Sequence, residues 1–374
     1  MNKYKYHGVT PIEYGENFCD SYIKNCDAVD LPAKGMFTYH QGVFLSGMEH
    51  IYKQNGNKKY FNYIKSWVDS VLNDDGTAKT HDDGWTSHHS LDFRQPGLLM
   101  FNLYSETKDE RYFNCLIDLV ETLKDYPRNS KGGFWHMKSQ PNQMWLDGLY
   151  MAGPLLAKYA YLTGKSEILD NAISQAVIMD ENMTDPVTGL MYHGWDEGKQ
   201  AQWAKTEHGL SSEFWGRALG WYTIAILDIL DYVPEEHLQY RKLVDIVTSL
   251  LKSLAKFQDE SGRWYQVTDK IDKADNWLEN SCSCMFVYSF SKAVRMGYLD
   301  GSYIEIAKKG FEGVIDSLRY TENGEMILGD ICVGTCIDEG TYEHYIKREK
   351  AENDLHGGGA FLLMCAQVNN SFDI

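Results

Sequence analysis

The run Gly148-Leu149-Tyr150-Met151-Ala152-Gly153-Pro154-Leu155-Leu156-Ala157-Lys158-Tyr159-Ala160-Tyr161-Leu162, followed closely by Ser166-Glu167-Ile168-Leu169-Asp170-Asn171-Ala172-Ile173, sets two kinds of helix side by side. The first is apolar around most of its circumference and carries Gly and Ala, so it calls for burial on most sides and close approach by its neighbours. The second alternates apolar and charged positions at helical spacing and keeps one face wet. The couple recurs along the whole chain. Wet-faced helices are predicted over residues 11–26, 58–72, 110–126, 166–183, 236–258 and 302–320, and buried ones over 41–53, 95–104, 148–162, 216–230, 283–296 and 358–368. Six of each class in strict alternation predict an all-α fold with two concentric rings, an (α/α)6 barrel of six inner and six outer helices. A solenoid of helix pairs is the rival geometry, but neither end carries a polar capping repeat.

Gly-and-aromatic segments precede several of the buried helices: Lys131-Gly132-Gly133-Phe134-Trp135-His136, Thr188-Gly189-Leu190-Met191-Tyr192-His193, Ser261-Gly262-Arg263-Trp264-Tyr265 and Asn323-Gly324-Glu325-Met326-Ile327. Each reads as a turn and a short extended piece crossing one rim of the barrel. These loops and the starts of the inner helices then frame a single cleft, and loops on a rigid scaffold are where function usually sits. With no Pro/Ser-rich linker and no shift in composition, residues 1–374 read as one domain.

Composition narrows the partners. A formal net charge of −17 excludes nucleic acid as a target, because phosphates require clustered Lys and Arg. An acidic small molecule must be held by local groups, against the long-range field. The first residues lead into polar sequence without the apolar stretch of a secretory signal, and no later run is long enough to span a bilayer, so a soluble cytoplasmic protein is expected. The eight Cys lack paired C-x-x-C spacing and read as free thiols, several of them buried.

Three clusters on the predicted rim combine acid, imidazole, guanidinium and indole: Trp145-Leu146-Asp147-Gly148-Leu149-Tyr150-Met151, His193-Gly194-Trp195-Asp196, and Trp215-Gly216-Arg217-Ala218-Leu219-Gly220-Trp221. Indole faces beside an acid and cationic donors suit a sugar ring bearing a carboxylate. Asp147 is the candidate proton donor: against indole rings in a partly dry cleft its pKa is expected to rise. Asp92, in Leu91-Asp92-Phe93-Arg94-Gln95-Pro96-Gly97, holds the equivalent place one repeat earlier. Helix capping is the competing role for both carboxylates. Arg217 and His193 are candidates for gripping an acid group or sugar oxygens, with an ion pair to Glu213 as the structural alternative for Arg217. Trp145, Trp215 and Trp221 are sugar-stacking candidates with core filling as the alternative, and His136 is a further rim candidate.

Other patterns carry less. His81-Asp82-Asp83-Gly84-Trp85 and the following His88-His89 have a metal-like composition but no ligand pair at helical spacing, and read as a polar turn. Cys282-Ser283-Cys284 and His356-Gly357-Gly358-Gly359 open the last two inner helices beside the cleft. The phosphate-binding loop, the dinucleotide fingerprint and the G-x-S-x-G elbow are missing.

Taken in order, Leu91-Asp92 with Pro96-Gly97, Trp145-Leu146-Asp147, Tyr192-His193-Gly194-Trp195-Asp196 and Trp215-Gly216-Arg217 with Gly220-Trp221 resemble the unsaturated rhamnogalacturonyl hydrolases of glycoside hydrolase family 105, over nearly the whole chain. The resemblance implies an (α/α)6 barrel that removes a 4,5-unsaturated uronic acid from the non-reducing end of short, lyase-generated oligosaccharides by hydrating an enol ether. It implies that Asp147 protonates C4 and then deprotonates the water that attacks C5. Asp92 then holds ring hydroxyls, His193 and Arg217 contact the uronate and the water, Trp145, Trp215 and Trp221 pack on the sugars, and His136 and Met151 border the site. No metal or cofactor is implied, and the partner is a small oligosaccharide.

A related family, the unsaturated glucuronyl hydrolases, carries a His-Asp-x-Gly-Phe segment where this chain has Leu91-Asp92-Phe93-Arg94-Gln95, which favours the pectin-type reading. The rivals are an N-acylglucosamine epimerase-like sugar isomerase using His136, His193 and His356, an inverting glycosidase of saturated chains with two separated carboxylates, and a non-catalytic sugar-binding barrel.

Overall fold

The computed structural model describes residues 3–81 and 83–372. Asp82, in the polar turn, lies outside them. Among the described residues the chain forms outer helices α1 (Pro11–Asn25), α3 (Lys58–Val71), α5 (Glu110–Glu121), α7 (Ser166–Met183), α9 (Tyr240–Leu254) and α11 (Ile304–Asp316). They alternate with inner helices α2 (Tyr39–Asn55), α4 (Leu98–Thr107), α6 (Asp147–Thr163), α8 (Gly216–Leu230), α10 (Asn280–Arg295) and α13 (Leu355–Ser371). A short extra helix, α12 (Tyr342–Ile346), sits in the last long loop. Neighbouring inner helices pack together, α6 meeting the turn at residues 92–97 that leads into α4, and α13 packs against both α10 and α2, which closes the ring. The fold is the (α/α)6 barrel.

Local chemistry starts and stops these helices. Thr10 makes a capping box with Glu13, and Pro11 opens α1 where its missing N–H is no loss. Thr38, Asn57, Asp109, Glu279 and Asp354 cap the helices that follow them. The inner ring is tight where small residues meet: a Cβ on Gly47 of α2 would lie 2.7 Å from the Gly359 carbonyl oxygen of α13.

Some boundaries differ from the sequence expectation. The second inner helix does not begin at Gln95. A 3-10 turn, Asp92–Gly97, comes first because Pro96 removes a donor, and the α-helix starts at Leu98. The fifth outer helix starts at Tyr240, since Pro234 to Gln239 form turns, and the sixth ends at Asp316 before a short hairpin.

The rim loops pair with one another rather than standing alone. β1 (Gln143–Trp145) runs antiparallel to β2 (Gly194–Asp196), with Trp145 opposite Gly194. β3 (Trp264–Tyr265) pairs with β4 (Leu278–Glu279), β5 (Arg319–Tyr320) with β6 (Met326–Ile327), and β7 (Ile331–Cys332) with β8 (Lys350–Ala351). Gly262 makes the turn before β3 with φ +89°, and a Cβ there would strike the Lys309 carbonyl at 2.0 Å, so only glycine fits. No helix among the described residues is long and apolar enough to cross a membrane.

Candidate active site

One backbone arrangement, repeated around the rim, builds the site. The Leu91 N–H donates to the His136 carbonyl at 3.0 Å, and the Leu146 N–H donates to the His193 carbonyl at 3.0 Å. The residue after each leucine is an aspartate, so each bond sets a carboxylate beside the next loop's imidazole. Asp92 Oδ1 lies 3.4 Å from His136 Nε2, and Asp147 Oδ2 lies 3.1 Å from His193 Nε2. The next two repeats keep the backbone bond and change the side chains: the Gly216 N–H donates to Gln266 and the Asn280 N–H to Asp330. Arg217 and Ser281 then occupy the aspartate positions, and Arg217 Nε donates to Ser281 Oγ at 2.9 Å.

These groups surround a cavity of about 310 Å³ at the rim, large enough for a small oligosaccharide end. Asp92, His136, Trp145, Asp147 and Met151 line it, together with Tyr39, His40, Trp85, Thr335 and Cys336. Trp145 stacks on the His136 ring with centroids 4.3 Å apart, and Trp85 adds a second indole 6.5 Å from Trp145. Neither aspartate makes a capping hydrogen bond at the helix it begins. Their carboxylates face the imidazoles and the cavity.

Four of the sequence candidates stand behind this wall. His193 is fully buried; its Nδ1 lies 2.8 Å from the Tyr345 hydroxyl, so it reaches the cavity through Asp147. Trp215 stacks on Tyr345 and donates to Gln266, walling in His193 at 4.7 Å. Arg217 is 1% exposed and donates to Glu279, Ser281 and the Cys332 and Val333 carbonyls. All three of its nitrogens donate within the protein, and its ion pair is with Glu279, not Glu213. Trp221 stacks on Tyr150 inside the barrel, 4.6 Å between centroids, and lies off the cavity wall, so the sugar contact expected of it is corrected to core packing.

The electrostatics also correct one expectation. Burial pushes the Asp147 carboxyl up, but a charged His193, its hydrogen bond and the more distant His136 outweigh that effect and hold it below the usual carboxylate range. His40, on the opposite wall, is driven down to about 3 by burial and by neighbouring His356, and so is neutral.

Sequence reasoning passed over Tyr39 and His40, which begin the first inner helix at a place comparable with Asp92 and Asp147, and Trp85, which it assigned to a polar turn. Behind Tyr39 runs a chain of hydrogen bonds: its hydroxyl lies 2.8 Å from His356 Nε2, and His356 Nδ1 lies 2.6 Å from Asp354. Cys282 and Cys284 are fully buried and do not border the cavity. Among the described residues no group of three or more His, Cys, Asp or Glu side chains is arranged to hold a metal ion.

A closed helical barrel with a carboxylate-bearing, indole-lined pocket at its rim has the character of a carbohydrate site. The chain belongs to Glycosyl Hydrolase Family 88, whose model matches residues 14–372. It is similar to a Clostridium acetobutylicum glycoside hydrolase from family 105, at 34% identity and TM-score 0.89, over 96% of this chain and 99% of that one. It is also similar to the unsaturated rhamnogalacturonyl hydrolase YesR of Bacillus subtilis, 26% identical over 79% of each chain. An unsaturated glucuronyl hydrolase from Bacillus sp. GL1, responsible for the degradation of glycosaminoglycan, shares the barrel at 17% identity and TM-score 0.67, over 88% of this chain and 85% of that one. The protein is thus an enzyme, a glycoside hydrolase.

Proposed function

We propose that the enzyme removes a 4,5-unsaturated galacturonate linked to rhamnose from the non-reducing end of lyase-generated pectin oligosaccharides. The observation that carries this is the Asp147–His193 pair opening onto a rim cavity that also holds Asp92, His136 and Trp145. Similarity to YesR supports rhamnose as the neighbouring sugar.

The chemistry is addition of water to an enol ether. The Asp147 carboxyl gives its proton to C4, and positive charge spreads over C5 and the ring oxygen. Water adds to C5 and returns its second proton to the Asp147 carboxylate, which completes general acid and general base work with one group. The hemiketal opens and the aglycone leaves. Asp147 and His193 share one proton in this scheme, and an incoming uronate disfavours a second negative charge nearby, which moves that proton onto the carboxyl.

Asp92 accepts hydrogen bonds from ring hydroxyls, with His136 holding its orientation. Trp145 offers its face to the sugar and Met151 closes the floor. His193, fixed by Trp215 and Tyr345, positions Asp147. Arg217 acts as a buried positive charge behind the wall rather than as a ligand.

The test follows the ultraviolet absorbance of the conjugated double bond in unsaturated galacturonyl-rhamnose and in a glucuronate-type disaccharide. Loss of absorbance with wild type and not with Asp147→Asn supports the proposal. Turnover of the glucuronate substrate alone reassigns the sugar, and persistent absorbance with both overturns the hydration chemistry.

A further inference from the structure

The inner helices run away from the catalytic rim, and their far ends enclose a second cavity of about 180 Å³. Lys158 lies 11 residues beyond Asp147 on α6, about 16 Å along the helix axis, so this space is separate from the cleft. Its walls carry three ammonium groups and three carboxylates at the centre of the barrel.

The partnerships there are uneven. Lys292 bridges Asp228 at 2.7 Å and Asp231 at 2.6 Å, and the Tyr288 hydroxyl also donates to Asp228. Lys53 pairs with Glu49. Three groups are left over on the side formed by α2 and α6. Among the described residues Lys158, half-buried, has no ion pair or hydrogen bond, and the Phe101 ring lies beneath its ammonium at 4.6 Å. Among the described residues the half-buried His50 has no hydrogen bond, and Glu49 Oε2 is buried without a donor. Burial, reinforced by Lys53, outweighs the nearby carboxylates and holds Lys158 at about 8 and His50 at about 3.

One buried acceptor without a donor, Glu49 Oε2, faces the same space as the half-buried Lys158 and His50, and the three together describe the complement of a ligand. A carboxylate between Lys158 and His50 satisfies both donors, and a hydroxyl on the same molecule satisfies Glu49 Oε2. Asp231, partly exposed at the margin, marks an opening to solvent. The volume is below the range of about 300–1,000 Å³ that drug-sized ligands fill, which limits the ligand to roughly a dozen non-hydrogen atoms.

We propose that the far end of the barrel is a binding site for a small hydroxy acid, with Lys158 and His50 receiving its carboxylate and Glu49 its hydroxyl. The site stands independently of the reading of the catalytic cleft.

The probes are D-galacturonate and neutral D-galactose, measured by titration calorimetry on the full chain and by crystal soaks. The expected result is galacturonate density between Lys158 and His50, with galactose excluded. Binding at this site is expected to weaken at least tenfold in Lys158→Met, to be restored in Lys158→Arg, and to persist in Trp145→Ala, which impairs the cleft alone. An empty cavity after soaking at saturating galacturonate, or unchanged binding in Lys158→Met, overturns the proposal.

Discussion

Asp147 Oδ2 lies 3.1 Å from His193 Nε2, although the two residues are 46 positions apart. The contact follows from pairing of two rim strands, Gln143–Trp145 with Gly194–Asp196, and from the Leu146 N–H on the His193 carbonyl. Side chains that follow a paired strand end have little freedom to drift, so the acid is held before substrate arrives.

In the proposed mechanism Asp147→Asn removes the proton delivered to C4 while keeping shape and a hydrogen bond to His193. General acid–base groups contribute typically ~10²–10⁴-fold. A loss of kcat in that range with KM within a few-fold is expected in the absorbance assay, with the melting temperature unchanged or raised. Activity within tenfold of wild type excludes Asp147 as the acid.

The Tyr345 hydroxyl at 2.8 Å is the partner of His193 Nδ1, and it fixes which imidazole nitrogen faces Asp147. Tyr345→Phe keeps the stacking on Trp215 but leaves that nitrogen unpartnered. The loss of one buried hydrogen bond, worth about 1–1.5 kcal/mol, predicts a roughly tenfold fall in kcat. A kcat within twofold of wild type would show that Tyr345 does not support His193.

Arg217 and Glu279 form a buried ion pair at 3.3 Å, with exposures of 1% and 0%. Glu279 also caps α10 through the Cys282 N–H and accepts from the Cys332 N–H, so its charge serves three segments. Arg217→Met leaves that carboxylate uncompensated and is expected to cost about 3–5 kcal/mol in denaturant unfolding. Arg217→Lys does not replace the planar fork and is expected to recover only part of the loss. A near-neutral effect of Arg217→Met on stability would mean that Arg217 serves substrate more than fold.

The barrel was legible because inner and outer helices differ in periodicity, a property of local sequence. Asp147 and Asp92 were legible for a similar reason: each follows leucine at the start of a repeat. Contacts that depend on distant segments were not. Tyr345 lies 152 residues from His193 in a loop with no helical period, and Glu279 reaches Arg217 from the next repeat. Trp221 misled because a tryptophan one turn into an inner helix faces the core as readily as the mouth; here it meets Tyr150.

His40 and His50 are both held at about 3 by burial, below their ordinary 6.5. The unfolded chain therefore binds protons that the folded chain refuses. Stability is full above pH 6.5 and falls progressively as pH drops from about 6.5 towards 3, each buried imidazole adding to the slope. Asp354, held below its ordinary range, adds a further loss at the acid end, below about pH 4. Denaturant unfolding across this range is expected to show a shallower decline in His40→Asn/His50→Asn than in wild type; parallel curves refute the assignment.

The Asp354–His356–Tyr39 chain ends at the cavity wall, and its proton positions follow from its charges. Asp354 is an anion, with burial outweighed by hydrogen bonds from the His356 side chain and backbone N–H and by the charge of Arg217. Burial and Arg217 lower His356, so its imidazole is neutral, with Nδ1–H donating to Asp354 and Nε2 accepting from the Tyr39 hydroxyl. The Tyr39 oxygen is then left with its lone pairs towards the cavity, as an acceptor for a substrate hydroxyl or the attacking water. Tyr39→Phe is expected to lower kcat/KM by about tenfold, the value of one buried hydrogen bond. Asp354→Asn acts only through His356 and Tyr39, so the double variant is expected to be no worse than Tyr39→Phe alone. Additive losses in the double-mutant cycle would show that Asp354 works through its cap of α13 instead.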